Sequence, residues 1–307
     1  MSVLIVGSLA YDSVTSPEGS VERALGGSAT YGGLACQFHL RRLNQGHAAL
    51  VGVIGADFAD DDREVLASSG LDLSGLETAE GDTFRWEGAY HGAMAEAETL
   101  ATHLNVFEHF EPRVPDALVS PSVLFCANLH PAIQQNVMDQ TQVGHLTMLD
   151  SMNLWISIAK DGLMEAMTRA DVVIINDGEA RMLAGDENLV RAMRDIAHTT
   201  STRTLIVKRG EHGVLACHEG EFVALPAFPT EAVVDPTGCG DTFAGTLAAW
   251  FASEGPPLSL PSLRQGLVHA TVTASFTLEA FGTAGLQSLT PALYDDRLEA
   301  YLKMVSP

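Results

Sequence analysis

The sequence predicts an α/β fold in which a mostly parallel central sheet carries helices on both faces. Short apolar, β-branched runs recur along the chain, and helical patterns fall between most of them. No internal repeat or low-complexity linker breaks the alternation, so residues 1–307 read as one domain.

Val-Leu-Ile-Val at 3–6, closed by Gly7, opens the sheet as a buried strand. Residues 28–43 carry apolar and small residues at helical spacing and end on Arg41 and Arg42, cations that suit a helix C-terminus. A second strand at 48–54 runs into Gly55-Ala56-Asp57. Between 71 and 110 the pattern changes: Thr83-Phe84-Arg85-Trp86 and the alternation over 99–107 look like strands with no long helix between them, a small β insertion. The main alternation then resumes, with strands at 123–126, 146–149, 172–175, 204–207 and 214–217 and helices at 133–142, 156–169 and 188–198. The last third is helical, with apolar i, i+3, i+4 spacing over 241–253, 263–280 and 291–304. Ligands of such sheets bind outside the carboxyl ends of the strands, so residues directly after strands are the first candidates for a site.

With 46% hydrophobic residues the chain can bury a large core, and its formal net charge of -22 repels polyanions. A nucleic-acid partner is therefore not expected, and any phosphate-bearing ligand must be held by a local pocket. No run approaches the roughly 20 apolar residues of a membrane span, and MSVLIVGSLAYD lacks the basic region and cleavage pattern of an export signal. A cytoplasmic protein without a membrane partner is expected. Cys36, Cys126, Cys217 and Cys239 are widely spaced, with no CxxC pair and no histidine at ligand spacing, so neither a disulfide framework nor a zinc site is expected.

The most informative stretch is Val234-Asp235-Pro236-Thr237-Gly238-Cys239-Gly240-Asp241-Thr242-Phe243-Ala244-Gly245, a loop running through two glycines into a helix. Backbone N–H groups at a helix start are unpaired and glycines let an anion come close, so Gly238, Cys239 and Gly240 can form an anion hole. Asp241, in the first turn, is placed to accept a proton from an alcohol whose oxygen attacks phosphorus. A cap and a tight turn would explain an aspartate and a glycine pair, but not the whole string.

That string closely matches the carboxyl-terminal signature of the ribokinase/PfkB carbohydrate kinases, commonly written D-T-x-G-A-G-D, and the chain resembles the family over nearly its whole length. The resemblance implies a ribokinase-like three-layer fold, ATP and Mg²⁺ as cofactors, Asp241 as catalytic base and the backbone of Gly238, Cys239 and Gly240 as the hole for the transferring phosphate. Cys239 stands where the family commonly has Ala. A thiol at a helix N-terminus is a candidate for a lowered pKa and redox sensitivity, against the plainer reading of a small turn residue.

Gly26-Gly27 before a helix resembles the family's double-glycine hinge beside the substrate. The family's frequent Asn four residues later is Tyr31 here. Asp12 lies where the family's sugar-binding Asp stands, and a carboxylate can accept hydrogen bonds from two vicinal hydroxyls. Asn176-Asp177-Gly178-Glu179 fits the N-x-x-E motif, which implies Glu179 on the metal side, holding Mg²⁺ through water, with Asn176 supporting it. Lys208-Arg209-Gly210-Glu211-His212-Gly213 resembles the nucleotide loop: Gly210 and Gly213 are its glycines, and Lys208 is either a phosphate-facing cation or a solvated loop charge. Ala274-Ser275 and 282–285 fall where the family closes over adenine and, in some members, a monovalent cation such as K⁺. Residues 10–25 and 71–110 correspond to the β lid, which covers the substrate and often joins two copies into a homodimer. On it, Arg85 and Asn105 are either substrate contacts or ordinary exposed strand residues.

A binding or regulatory protein on this fold would be expected to lack the base or the hole, and both are present. The G-x-G-x-x-G of a dinucleotide enzyme and the G-x-x-x-x-G-K-[ST] of a P-loop kinase are missing. Family members phosphorylate sugars, sugar phosphates or nucleosides. The acidic surface favours an unphosphorylated acceptor, so a free sugar is expected, with a nucleoside as the alternative. For a nucleoside, Phe84, Trp86, Phe107 and Phe110 would stack on the base, unless they are packing residues.

Overall fold

A computed structural model describes residues 2–94 and 96–306. The chain runs through β1 (Ser2–Val6), β2 (Ala10–Ser16), β3 (Gly19–Gly26), α1 (Ser28–Arg42), β4 (His47–Gly55), α2 (Asp60–Ser68), β5 (Asp72–Ala79), β6 (Phe84–Tyr90), β7 (Ala97–His103) and β8 (Val123–Cys126). It continues through α3 (Pro131–Gln140), β9 (Leu146–Asp150), α4 (Asn153–Ile158), α5 (Lys160–Thr168), β10 (Val172–Asn176), α6 (Asp177–Ala184), α7 (Leu189–Thr200) and β11 (Thr204–Lys208). It closes with β12 (Val214–His218), β13 (Glu221–Leu225), α8 (Cys239–Glu254), α9 (Leu260–Leu278), α10 (Ala284–Gln287) and α11 (Pro291–Val305).

A nine-stranded sheet has the order β13-β12-β11-β10-β9-β8-β1-β4-β5. Its strands are parallel from β5 to β11, with β12 and β13 added as antiparallel strands. Because side chains alternate across a sheet, each strand feeds two cores. Val3, Ile5, Met148, Ile174 and Ile206 pack with α1, α8 and α9 on one face, while Leu149, Val173, Ile175 and Val207 pack with α5, α6 and α7 on the other. Each such buried side chain contributes about 1.5–3 kcal/mol of transfer free energy, which is why these strands read as continuous apolar runs. No described helix is long and apolar enough to cross a membrane.

A separate four-stranded sheet has the order β3-β2-β6-β7. The β insertion expected over 71–110 is divided by the structure: β5 is the edge strand of the large sheet, paired parallel with β4, and only β6 and β7 join the β2–β3 hairpin. Burial decides this, since Val51, Val53 and Ile54 of β4 are covered and supply a parallel edge for β5. Residues 105–107, the end of the strand expected over 99–107, fall instead in a short 3₁₀ turn over Asn105–His109. The helix expected over 156–169 is two helices, broken at Ala159, whose φ of -142° leaves the helical region.

Candidate active site

At the carboxyl end of β1, Ser8 and Ser28 bond each other's backbone N–H through their hydroxyls at 3.1 and 3.0 Å, fixing the start of α1. Gly26 and Gly27 lie between. A Cβ on Gly26 would overlap the Asp12 carboxylate, and Gly27 has φ 96° with Ala10 N 2.8 Å from where a Cβ would stand. Both glycines are therefore required by the close approach of β2, and the Gly27 backbone N–H acts to lower the pKa of Asp12. Asp12 is buried; desolvation, with the charges of Asp235 and Asp241, raises its pKa to about 7.

Across from it, α8 begins at Gly238, whose φ is 75°. Gly32 and Gly245 let α1 and α8 touch backbone to backbone, and this crossing sets the first turn of α8 beside α1. Cys239 N–H is already spent on Pro236 O at 3.2 Å. Gly238 and Gly240 N–H have no hydrogen-bond partner among the described residues, so both are left open at the helix start. Asp241 follows in the first turn. Burial raises its pKa to about 7, Asp150 adds to the rise, and Lys208 and its own backbone N–H oppose it. The Cys239 thiol donates to Ala274 O at 3.6 Å, and burial with Asp235 and Asp241 pushes its pKa up, opposite to the lowering expected at a helix N-terminus.

Asp235, the first acid of the motif, is buried and bridges two loops, accepting from Thr237 N at 2.9 Å and Gly282 N at 3.2 Å. Tyr90 at the end of β6 reaches over from the small sheet and bonds Thr237 Oγ1 at 3.2 Å. The small sheet is thus seated directly on the glycine loop.

On the other side stand the ends of β9, β10 and β11. Asn176 and Glu179 form a reciprocal capping box on α6: Glu179 Oε2 accepts from Asn176 N at 2.8 Å, Oε1 from Asn176 Nδ2 at 2.6 Å, and Asn176 Oδ1 from Glu179 N at 2.8 Å. Desolvation raises Glu179 to about 7, with Lys208 opposing. Lys208 Nζ bonds both oxygens of Asp150, at 3.0 and 3.2 Å, and its stem runs along Gly240. Desolvation works against the ammonium, yet Asp150, Glu179 and Asp241 outweigh it and raise its pKa, so Lys208 is an ammonium ion-paired to a buried carboxylate and not a free loop charge. Gly210 and Gly213, with φ of 52° and 81°, shape the turn into β12. Three acids raised to about 7 at this end of the sheet make it the candidate active site.

The structure brings Asp12, Gly26, Gly27, Gly238, Cys239, Gly240, Asp241, Lys208, Asn176 and Glu179 to one end of the sheet. Arg85 and Asn105 are not among them. In the small sheet Arg85 pairs with Tyr11 and Trp86 with Asp12, so Arg85 lies on the face away from Asp12. It is tied to Asp57 at 2.9 Å and Asp82 at 3.3 Å, while Asn105 donates to Thr83 O at 2.9 Å. Phe84, Phe107 and Phe110 stack on one another, with ring centroids 5.3 and 5.8 Å apart, as packing residues do. Sequence reasoning passed over Asp150 and Asp235. Asp150 was findable, since it directly follows the apolar run 146–149, as Asn176 and Lys208 follow theirs.

Among the described residues no three His, Cys, Asp or Glu side chains converge as a dedicated metal site. Glu179 uses two of its roughly four lone-pair directions on Asn176. What remains fits a hard cation that keeps several waters and is carried on phosphates, the usual binding mode of Mg²⁺.

Fold and site together define a small-molecule kinase of ribokinase-like architecture. The nucleoside kinase of Burkholderia thailandensis, solved with inosine, superposes with a TM-score of 0.78 at 20% identity, covering 98% of this chain and 99% of that one. The ribokinase of Thermotoga maritima gives 0.75 at 18% identity, covering 99% of both chains. In sequence, the cytidine kinase of Thermococcus kodakarensis is 30% identical over 277 residues, 88% of this chain and 95% of its relative. Residues 1–288 match the pfkB family of carbohydrate kinases, and the chain belongs to that family.

Proposed function

We propose that the protein transfers the γ-phosphate of MgATP to a ribosyl hydroxyl of a nucleoside. The observation that carries this reading is the pairing of two acids: Asp12, buried and backed by Gly26 and Gly27, and the half-buried Asp241 at the start of α8, whose charge acts on Asp12. Asp12 accepts hydrogen bonds from a vicinal diol, and that holds a neighbouring hydroxyl toward Asp241. Asp241 takes the proton as the alcohol oxygen attacks phosphorus. Gly238 and Gly240 N–H face the charge that gathers on the phosphoryl oxygens, and Lys208 adds a cation beside them. Asn176, Gly210 and Gly213 border the nucleotide. Mg²⁺, when bound, would offset phosphate charge, and Glu179 is the residue that would hold it through water.

A nucleoside is preferred to the free sugar expected from composition because the similarity to a cytidine kinase extends over 88% of the chain. The small sheet serves as the lid, closing through Tyr90 on Thr237 and keeping out water that would otherwise accept the phosphate. Its outer strand β7 bears Leu100 at 58% exposure, which supports pairing with a second copy. Four unpaired cysteines accord with the cytoplasm.

The test is ADP release from MgATP across nucleosides, pentoses, hexoses, sugar acids and sugar phosphates, with Asp241→Asn alongside. Nucleoside turnover lost in the variant is expected. Turnover of sugars alone would return the acceptor to the free-sugar reading, and ATP binding without any turnover would favour a non-catalytic binder.

A further inference from the structure

Asp150 has no part in the motif, yet it is the acid through which the site's cation is fixed. It ends β9, Lys208 ends β11, and β10 lies between, with Ile174 registered to Asp150 and Asn176 to Lys208. Positions 174 and 176 share a face, so both side chains emerge on the side of the sheet that carries α8. There the ammonium is pressed against the anion-hole glycine: a Cβ on Gly240 would stand 2.9 Å from Lys208 Nζ, 3.6 Å from Cε and 3.7 Å from Cδ. Gly240 is therefore demanded twice, by an anion's approach to its N–H and by the Lys208 side chain along its α-carbon.

The pair is asymmetric. The Asp150 side chain is 4% exposed and that of Lys208 21%, so the carboxylate is sealed behind and the ammonium is the part that meets solvent. Asp150 is itself held, with Ser151 N donating to Oδ1 at 2.9 Å and Gln134 Nε2 donating to its main-chain oxygen at 2.9 Å. Stability alone does not account for such an arrangement, because desolvation offsets most of what a buried ion pair gains. Positioning does. An ammonium on a four-carbon stem is mobile unless gripped, and this one is gripped through both carboxylate oxygens while keeping a proton to donate.

We propose that Asp150 is a positioning residue for phosphoryl transfer: it holds the Lys208 ammonium against Gly240, at the edge of the anion hole, where that ammonium meets the transferring phosphoryl group. The proposal rests on the kinase reading above.

The experiment is steady-state ADP release by the full chain and by Lys208→Met, Asp150→Asn, Asp150→Ala and the double variant Lys208→Met/Asp150→Asn, with thermal unfolding of each. Each single change should lower kcat on the order of 10²-fold and leave KM for the acceptor within about threefold. The double variant should be no slower than Lys208→Met alone, because Asp150 acts only through Lys208. Full turnover in Asp150→Asn overturns the proposal, as does a double variant whose loss is the product of the two single losses. Asp150→Asn keeps the side chain's shape and carries the test where Asp150→Ala does not fold; failure of both to fold would make Asp150 a stability residue and sink the idea. An inactive wild-type chain, or an active Asp241→Asn, would instead refute the kinase reading itself.

Discussion

The α-carbon of Gly238 lies against the face of the Tyr31 ring, where a Cβ would stand 2.5 Å from both Cδ1 and Cδ2. This contact joins α1, the helix after the double glycine, to the loop that opens α8. The phenol ring is thereby built into the wall beside the glycine turn. Gly238→Ala meets both this ring and a φ of 75°, and should lower stability by at least about 1–2 kcal/mol, read as a lower unfolding midpoint in urea. Gly240→Ala meets only the flexible end of Lys208, so it should fold with a near-normal midpoint and lose turnover.

The Tyr31 hydroxyl is buried and has no hydrogen-bond partner among the described residues. An orphaned buried hydroxyl carries a desolvation cost of about 1–3 kcal/mol, so Tyr31→Phe should leave stability unchanged or raise it. Chemical denaturation checks this, and a fall of more than about 1 kcal/mol would reveal a bond that this arrangement lacks.

Asp241 must be ionised to act as a base, and its pKa of about 7 lies far above the ordinary 3.8. Turnover per unit free enzyme, kcat/KM, should therefore decline as pH falls through about 7. Asp241→Asn should lower kcat by about 10²–10⁴-fold with little change in acceptor KM.

The same shifts set a stability trend. The folded chain holds protons on Asp12, Glu179 and Asp241 up to about pH 7, whereas the unfolded chain releases them near 3.8 to 4.5. The native state binds more protons across that window, so these acids make the ligand-free protein less stable as pH rises from about 4 to 7, after which their effect levels off. Asp241→Asn removes one such burden. Its gain in melting temperature should be larger at pH 8 than at pH 5, and an equal gain at both would show that the carboxyl is not shifted.

Arg85 belongs to a knot around Asp57, which also accepts from Thr83 N at 2.6 Å, Thr83 Oγ1 at 2.7 Å and Arg23 at 3.2 Å. Arg85→Ala should cost about 1 kcal/mol, because the pair is only partly buried and Asp57 keeps its bonds from Thr83 and Arg23, and should leave acceptor KM unchanged. A several-fold rise in KM would place Arg85 at the substrate after all.

Much of this was legible in the residue order. Apolar runs gave away seven strands of the large sheet to within a residue or two, because strands covered on both faces need apolar residues at every position. The glycine string at 238–240 gave away the turn that opens α8, because few other turns require that pattern before a helix. The helix Asp60–Ser68 left little trace, since Leu66 is its only buried residue. The strand Asp72–Ala79 was placed in the wrong sheet because a half-exposed edge strand reads alike in either.

The local pattern of residues by itself determined the strands and the glycine turn that sets Asp241 in the first turn of α8, since each depends on neighbours in the chain. Which charges meet was decided only in three dimensions. Asp150 reaches Lys208 across an intervening strand, Arg85 turns away from Asp12 through the register of the small sheet, and Tyr31 comes to Gly238 only because α1 and α8 cross at paired glycines. Those relationships join residues from 58 to more than 200 positions apart, and no short-range pattern can encode such a distance.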